Sequence, residues 1–235
     1  MRLTNILSMI VGAMVLASCG GKTQTINFVA DDCNITLGNV SFTKSINLDK
    51  AELTASKDSI RMIAKPGTDY FRSPSDGSVI ATSPIIFTEV DNTKPFTFTA
   101  KVQPDYTPEG TYSAGTIYVY VDETFWQKFA YEQDEAGRHR AVTVRTMETS
   151  DDNNHQALDS KAIYLRFSSD TKAFGCYYSE DGSTWNMVKL YKNNYPAKLY
   201  LGISTQSPSK DSHSCLFSEV DLQPFAVKNF REGAL

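Results

Sequence analysis

Trp126, Lys128 and Glu132 stand at even spacing in the stretch Phe125–Glu132, FWQKFAYE. Successive side chains of a β-strand point to opposite faces, so these three share one face with Ala130. Phe125, Phe129 and Tyr131 share the other, which is the natural core face. An indole beside an ammonium and a carboxylate can bind a sugar: the ring stacks on pyranose C–H groups while the charged groups bind hydroxyls. The same row also reads as a solvated sheet face, on which a Lys128–Glu132 pair contributes little.

The neighbouring runs offer more candidates. In TIYVYVD, Thr116–Asp122, Ile117, Val119 and Val121 fall on one face and Tyr118, Tyr120 and Asp122 on the other. With the aliphatic set as core, Tyr118, Tyr120 and Asp122 extend the Trp126 platform onto the adjacent strand. In AVTVRT and AIYLRFS, taking Val142, Val144, Ile163, Leu165 and Phe167 as core turns Arg145, Tyr164 and Arg166 outward. Exposed residues selected for strand propensity are the competing account. Asp69 and Arg72, between Gly67 and Ser73-Pro74, are expected at a rim as an Asp–Arg clamp.

Glycoside hydrolysis of the usual kind needs two carboxylates about 5–10 Å apart. The segment Glu132–Gly137, EQDEAG, begins like the Glu-x-Asp-x-x-Glu strand of concanavalin A-like glucanases, then places Gly137 where the second Glu belongs. Glu132 remains the catalytic candidate, with Asp122 across adjacent strands as the second acid. There is no Gly-x-Ser-x-Gly, and Ser212-His213 reads as a polar surface loop. With three histidines, no Cys-x-x-Cys and no ordered calcium-loop spacing in Asp151-Asp152-Asn153, neither a metal nor a cofactor is expected.

The chain must fold elements around these residues. Short runs rich in β-branched and aromatic residues recur with a period of two from Phe96 to Leu222, separated by turn chemistry at 104–110, 134–137, 151–154 and 207–212. The N-terminal third is less regular: strands are expected in CNITLGNVSFTKSIN and SIRMIAK, and a loop or short helix over 49–56. SEDGSTW, Ser179–Trp185, approximates the Asp-box of sialidase propellers, but it is one residue short and occurs once. Asp181-Gly182 reads instead as a hairpin turn between strands, with Trp185 packed just past it.

Arg2 and the apolar run Leu7–Leu16 read as an export signal, too short to span a bilayer. LASC, Leu16–Cys19, resembles a lipobox, which implies cleavage before Cys19 and lipid on it. Residues 1–18 are then a signal peptide, 19–25 a tether and 26–235 a single domain, without internal repeats. Of the four cysteines, Cys33, Cys176 and Cys215 are left, so at most one pair can form; free, buried thiols are the competing account. The net charge of −4, without a basic patch, argues against nucleic acid as a partner.

Four patches follow the order of a known family: GTDYFR (Gly67–Arg72), SAGTIYVYVDETFWQKFAYE (Ser113–Glu132), YLRFSSDTKAFGCYYSEDGSTWNMVKL (Tyr164–Leu190) and YLGISTQSPSKDSHSCLFSEVDL (Tyr200–Leu222). Together with the Trp-x-Lys-x-x-x-Glu spacing, they make the chain resemble the DUF1349 family, relatives of the yeast regulation-of-enolase protein. The resemblance implies an all-β, concanavalin A-like jelly-roll sandwich of two antiparallel sheets. It implies no reaction, because the family has no established activity. The chain departs from the family pattern twice: Val119-Tyr120 stands where an Arg is usual, and Asp151-Asp152-Asn153 where a Trp often follows the Val-rich strand. The reading is a lipid-anchored binding module of the bacterial cell envelope, at the outer membrane, holding carbohydrate on a concave sheet face. The alternatives are a glycan hydrolase built on Glu132 and a lipoprotein that binds envelope proteins.

Overall fold

The computed structural model describes residues 30–235. The signal peptide, the tether and Cys19 lie outside the described residues. Strands are numbered in chain order. One antiparallel sheet runs, in spatial order, β1 (Asp31–Leu37), β2 (Val40–Ile46), β7 (Ile85–Asp91), β16 (Lys198–Gln206), β9 (Ala114–Asp122), β10 (Phe125–Gln133), β11 (His139–Met147) and β12 (Thr149–Ala157). The second runs β15 (Asn186–Lys192), β14 (Ala173–Ser179), β13 (Ile163–Ser169), β8 (Phe96–Pro104), β17 (His213–Gln223), β4 (Ser59–Ala64) and β3 (Ala51–Ala55). A small hairpin, β5 (Tyr70–Arg72) and β6 (Val79–Ala81), stands apart from both sheets. This is the expected jelly-roll sandwich of two antiparallel sheets.

The alternation read from the sequence decides which side chains meet between the sheets. Ile117, Val119, Val121, Phe129 and Tyr131 of the first sheet pack with Phe98, Val102, Leu165, Phe167, Cys176 and Phe217 of the second in one buried cluster. The sheets approach closely at Gly115: a Cβ there would lie 2.3 Å from the Cys215 sulfur and 2.4 Å from a Val102 methyl. The space this glycine leaves is filled from the opposite sheet.

A second core lies on the outer face of the first sheet. Tyr118, Tyr120, Trp126, Ala130, Val142, Val144 and Phe87 are buried there beneath Tyr70 of the β5–β6 hairpin. The Tyr70 ring meets Trp126 edge to face at 5.1 Å, and its hydroxyl lies 3.1 Å from that of Tyr120. The hairpin is held at both ends. Thr68 and Ser207 exchange backbone hydrogen bonds at 2.9 and 3.1 Å, Arg72 Nε donates to the Glu148 carbonyl, and Asn47 donates to the carbonyls of Ala81 and Ser83.

Several local expectations need correction. Residues 49–56 take up the end of a 3-10 turn, Leu48–Lys50, and then strand β3, because pairing with β4 overrides their weak pattern. Asp151–Asn154 belong to the edge strand β12, not to a loop; its polar side chains suit an edge that faces water. His213 opens β17 and is buried beside Tyr106 instead of lying on the surface, and that burial depresses its pKa to about 4. The hairpin reading of Asp181-Gly182 holds: the pair lies in the six-residue connection between the antiparallel strands β14 and β15, where the Asp181 carboxylate accepts from the backbone N–H groups of Ser183 and Thr184. Cys33, Cys176 and Cys215 are free thiols.

Gly115→Ala therefore forces a methyl into the inter-sheet core. The expected loss is about 1–3 kcal/mol of unfolding free energy, read as a lower urea midpoint; a midpoint equal to the parent's would contradict so close an approach of the sheets.

Candidate functional site

Lys128 sits in the middle of β10, and its side chain is only 3% exposed. Its Nζ donates to Asp69 Oδ1 at 3.0 Å and to Gln206 Oε1 at 3.0 Å. An ammonium carries three donors, and these two bonds leave the third available. The Gln206 amide nitrogen donates in turn to the Tyr112 carbonyl at 2.9 Å and to Glu132 Oε2 at 3.3 Å. Glu132, 8% exposed, follows Lys128 by two repeats of the pleat on the same face, with Ala130 between them.

These groups open onto a cavity of about 310 Å³. Lys128, Glu132, Gln206 and Val144 line it from the sheet, Asp69 and Phe71 from the hairpin side, Asp152 and Asn154 from β12, and Tyr112 and Glu135 from adjoining turns. Tyr112 is 45% exposed and holds φ at +61°, a left-handed conformation uncommon for a tyrosine. Its backbone N–H donates to the Gln133 carbonyl, which fixes that turn to the end of β10.

The electrostatics single out Glu132. Burial pushes its carboxyl up to about 8; Lys128 opposes the shift, and Asp69, Asp152 and Asp134 add to it. At neutral pH the group is therefore largely protonated and can donate a hydrogen bond. Desolvation also raises the carboxyl of Asp152. Asp134, two residues on, is shifted down: although buried, it is held as a carboxylate by Arg140 and Arg138 and by the backbone N–H groups of Arg138 and Ala136. Arg140, which pairs with Glu132 in the register of β10 and β11, is thus committed to Asp134 and to the His155 carbonyl.

Of the residues proposed from spacing, the structure brings Lys128 and Glu132 together at the cavity. The others lie elsewhere. Trp126 is fully buried under Tyr70 and presents no face to a ligand. Tyr118 and Tyr120 are buried in the same second core instead of forming a platform. Asp122 closes the β9–β10 turn by accepting from the backbone of Thr124 and Phe125. It pairs with Phe125, seven residues along β10 from Glu132. At about 3.3 Å per residue the two carboxyls are on the order of 20 Å apart, which removes Asp122 as a second acid. Arg145 faces the other sheet, 4.4 Å over the Tyr191 ring, because Val142 and Val144 belong to the outer core and not to the inner one. Arg166 lies on the second sheet, 3.5 Å from the centre of the Trp185 ring and bonded to Thr99 and the Gly233 carbonyl. Tyr164 is on that sheet as well, paired with Glu219. The Asp69–Arg72 clamp does not form, since Asp69 takes Lys128 and Arg72 takes Glu148.

Tyr112, Gln206, Asp152 and Glu135 were not foreseen. Tyr112 and Glu135 stand in turns without periodicity. Asp152 stands in a polar segment that reads as a loop, and Gln206 is the last residue of a strand whose polar end carries no signal.

Residues 47–225 match the model of the family described as "Protein of unknown function (DUF1349)". No curated protein matches the chain in sequence. Among solved structures, a functionally unknown protein from Saccharomyces cerevisiae is similar at 20% identity and a TM-score of 0.67, covering 75% of this chain and 97% of its own. GH43B of the Bacteroides ovatus xyloglucan PUL is similar at 13% identity and a TM-score of 0.57. That match covers 84% of this chain but only 39% of the GH43B chain. Lectin I-B4 from Griffonia simplicifolia is similar at 9% identity and a TM-score of 0.50, covering 74% of this chain and 91% of the lectin. At these identities the likeness is one of fold.

The Glu132 shift has a stability consequence. An unfolded carboxyl near 4.5 and a folded one near 8 mean that the native state holds the proton more tightly. The unfolding free energy should therefore fall as pH rises between those values, by roughly a few kcal/mol, and level off above them. Glu132→Gln should lack that component, so the difference between parent and variant should grow steadily from pH 4.5 to 8 in urea titrations. A difference independent of pH would mean that Glu132 is ionised throughout.

Proposed function

This chain belongs to the DUF1349 family, and from that premise we propose that it is a carbohydrate-binding module of the cell envelope. In this reading it is tethered by lipid on Cys19 and holds its sugar in the Lys128–Glu132 cavity. The cavity carries the proposal. Its volume of about 310 Å³ falls at the small end of ligand sites. Phe71, Tyr112 and Val144 give it apolar wall, which suits the C–H face of a pyranose. Its polar groups are mixed: Lys128 and the protonated Glu132 can donate, and Asp152, Asn154 and Glu135 can accept. Sugar hydroxyls both donate and accept, so a pocket of alternating polarity matches them better than it matches a uniformly charged ligand. The sandwich shared with a lectin is fold-level support only.

The raised Glu132 pKa also favours a second reading, in which the neutral carboxyl is a general acid and Asp152 or Asp69 the second carboxylate. Release of reducing ends from polysaccharides, abolished by Glu132→Gln, would establish that alternative over simple binding.

Two outcomes are expected. On a glycan array the full chain should retain at least one saccharide, and Tyr112→Ala, at an exposed position, should weaken that binding roughly 10-fold while leaving the circular dichroism spectrum unchanged. Failure to bind any saccharide would defeat the reading. Metabolic lipid labelling should be lost in Cys19→Ser, and labelling that persists would remove the anchor.

A further inference from the structure

The charges that line the cavity do not balance. Beside the protonated Glu132, the acidic side chains of Asp69, Glu135 and Asp152 stand against the single ammonium of Lys128, and Asp69 already holds that ammonium in an ion pair. Among the described residues, Arg140 and Arg138 nearby are both bound to Asp134, and Arg72 of the hairpin is turned to the Glu148 carbonyl. Glu132 is the buried member of the set, and its one hydrogen bond, from Gln206 to Oε2, is long at 3.3 Å. Among the described residues no hydrogen bond reaches its Oε1. Glu132 is thus a largely buried carboxyl at the wall of the cavity, held by one weak bond, and its second oxygen can take a hydrogen bond from a ligand that enters. Two aromatic rings, Phe71 and Tyr112, stand on the same walls, and the faces of such rings attract cations.

Resting on the carbohydrate reading above, we propose that the cavity selects an amino sugar carrying a free, protonated amine over the same sugar in neutral or N-acylated form. The ammonium takes the place beside Glu132 Oε1, Asp152 and Glu135, and the ring carbons lie against Tyr112 and Phe71. Glu132 starts protonated, because burial and the carboxylates around it raise its pKa. The arriving ammonium favours the carboxylate, so the Glu132 O–H proton leaves to the buffer and a charge-assisted hydrogen bond forms in its place. N-acylation removes the charge and adds bulk at the nitrogen, and the buried carboxyl stays neutral.

The test is titration calorimetry of the full chain at pH 6 with three series: glucosamine oligomers, N-acetylglucosamine oligomers and glucose oligomers. Each is run in two buffers of different ionisation enthalpy. The free-amine series should bind about 10-fold more tightly than either neutral series and release close to one proton per ligand. Asp152→Asn combined with Glu135→Gln, both at exposed positions, should bring its affinity down to the neutral level. Equal or tighter binding of the neutral series, or equal binding of a simple alkylamine without a sugar, would overturn the proposal and leave the carbohydrate reading standing. Absence of binding in all three series, together with an empty glycan array, would remove both.

Discussion

A buried ammonium organises the site. Taking a lysine out of water costs several kcal/mol unless it is paired and hydrogen-bonded, so the position of Lys128 dictates where its partners must be. Asp69 and Gln206 lie 59 and 78 residues away in sequence, and both reach the same nitrogen. Asp69 immediately precedes the hairpin that covers the sheet, so the ion pair sets the level at which that hairpin lies. The other end of the Gln206 amide then holds Glu132 and the Tyr112 loop. One cation thus fixes a lid, a carboxyl and an aromatic wall.

The lid exists because the centre of the first sheet is apolar on both faces. Ile117, Val119 and Phe129 face the inner core, and Tyr118, Tyr120, Trp126, Val142 and Val144 face outward. The outer set would expose a large aromatic patch if nothing lay on it. Strands of three residues cannot stand alone, so β5 and β6 depend on Tyr70 for packing and on the clamps at Thr68, Arg72 and Asn47 for placement. The cavity lies between this lid and β12, where the polar edge strand offers no apolar surface to cover.

Much of the fold was legible in the sequence. Period-two alternation located nearly every strand from Phe96 onward, and it assigned Ile117, Phe129 and their neighbours to the core correctly. The face of Lys128 and Glu132 was legible as well. What spacing could not convey was that this face is itself covered. The cover comes from GTDYFR, about fifty residues upstream of Trp126, and its packing on the outer face is a long-range contact with no local signature. Val142 and Val144 misled for the same reason: when both faces of a strand are buried, hydrophobicity no longer tells inside from outside. Arg145 was turned to the wrong side as a direct result. β12 was missed because a strand without a hydrophobic residue in its centre looks like a loop.

The two kinds of residue at the cavity differ in how they relate to the family pattern. Trp126, Lys128 and Glu132 carry the spacing through which the chain resembles DUF1349, and in the structure they form the floor: Trp126 beneath the lid, Lys128 and Glu132 open to the cavity. The segment Asp151-Asp152-Asn153, which departs from that pattern, supplies Asp152 to the wall. A tryptophan on that wall would add a ring and remove a charge. With Asp152 there instead, Glu132 is crowded by carboxylates and its ionised form is further disfavoured. Holding a neutral carboxyl in this state lowers stability at neutral pH, a cost commonly tolerated at sites that bind or react. The floor therefore makes a polar cavity possible on this sheet, and the wall sets the charge of that cavity.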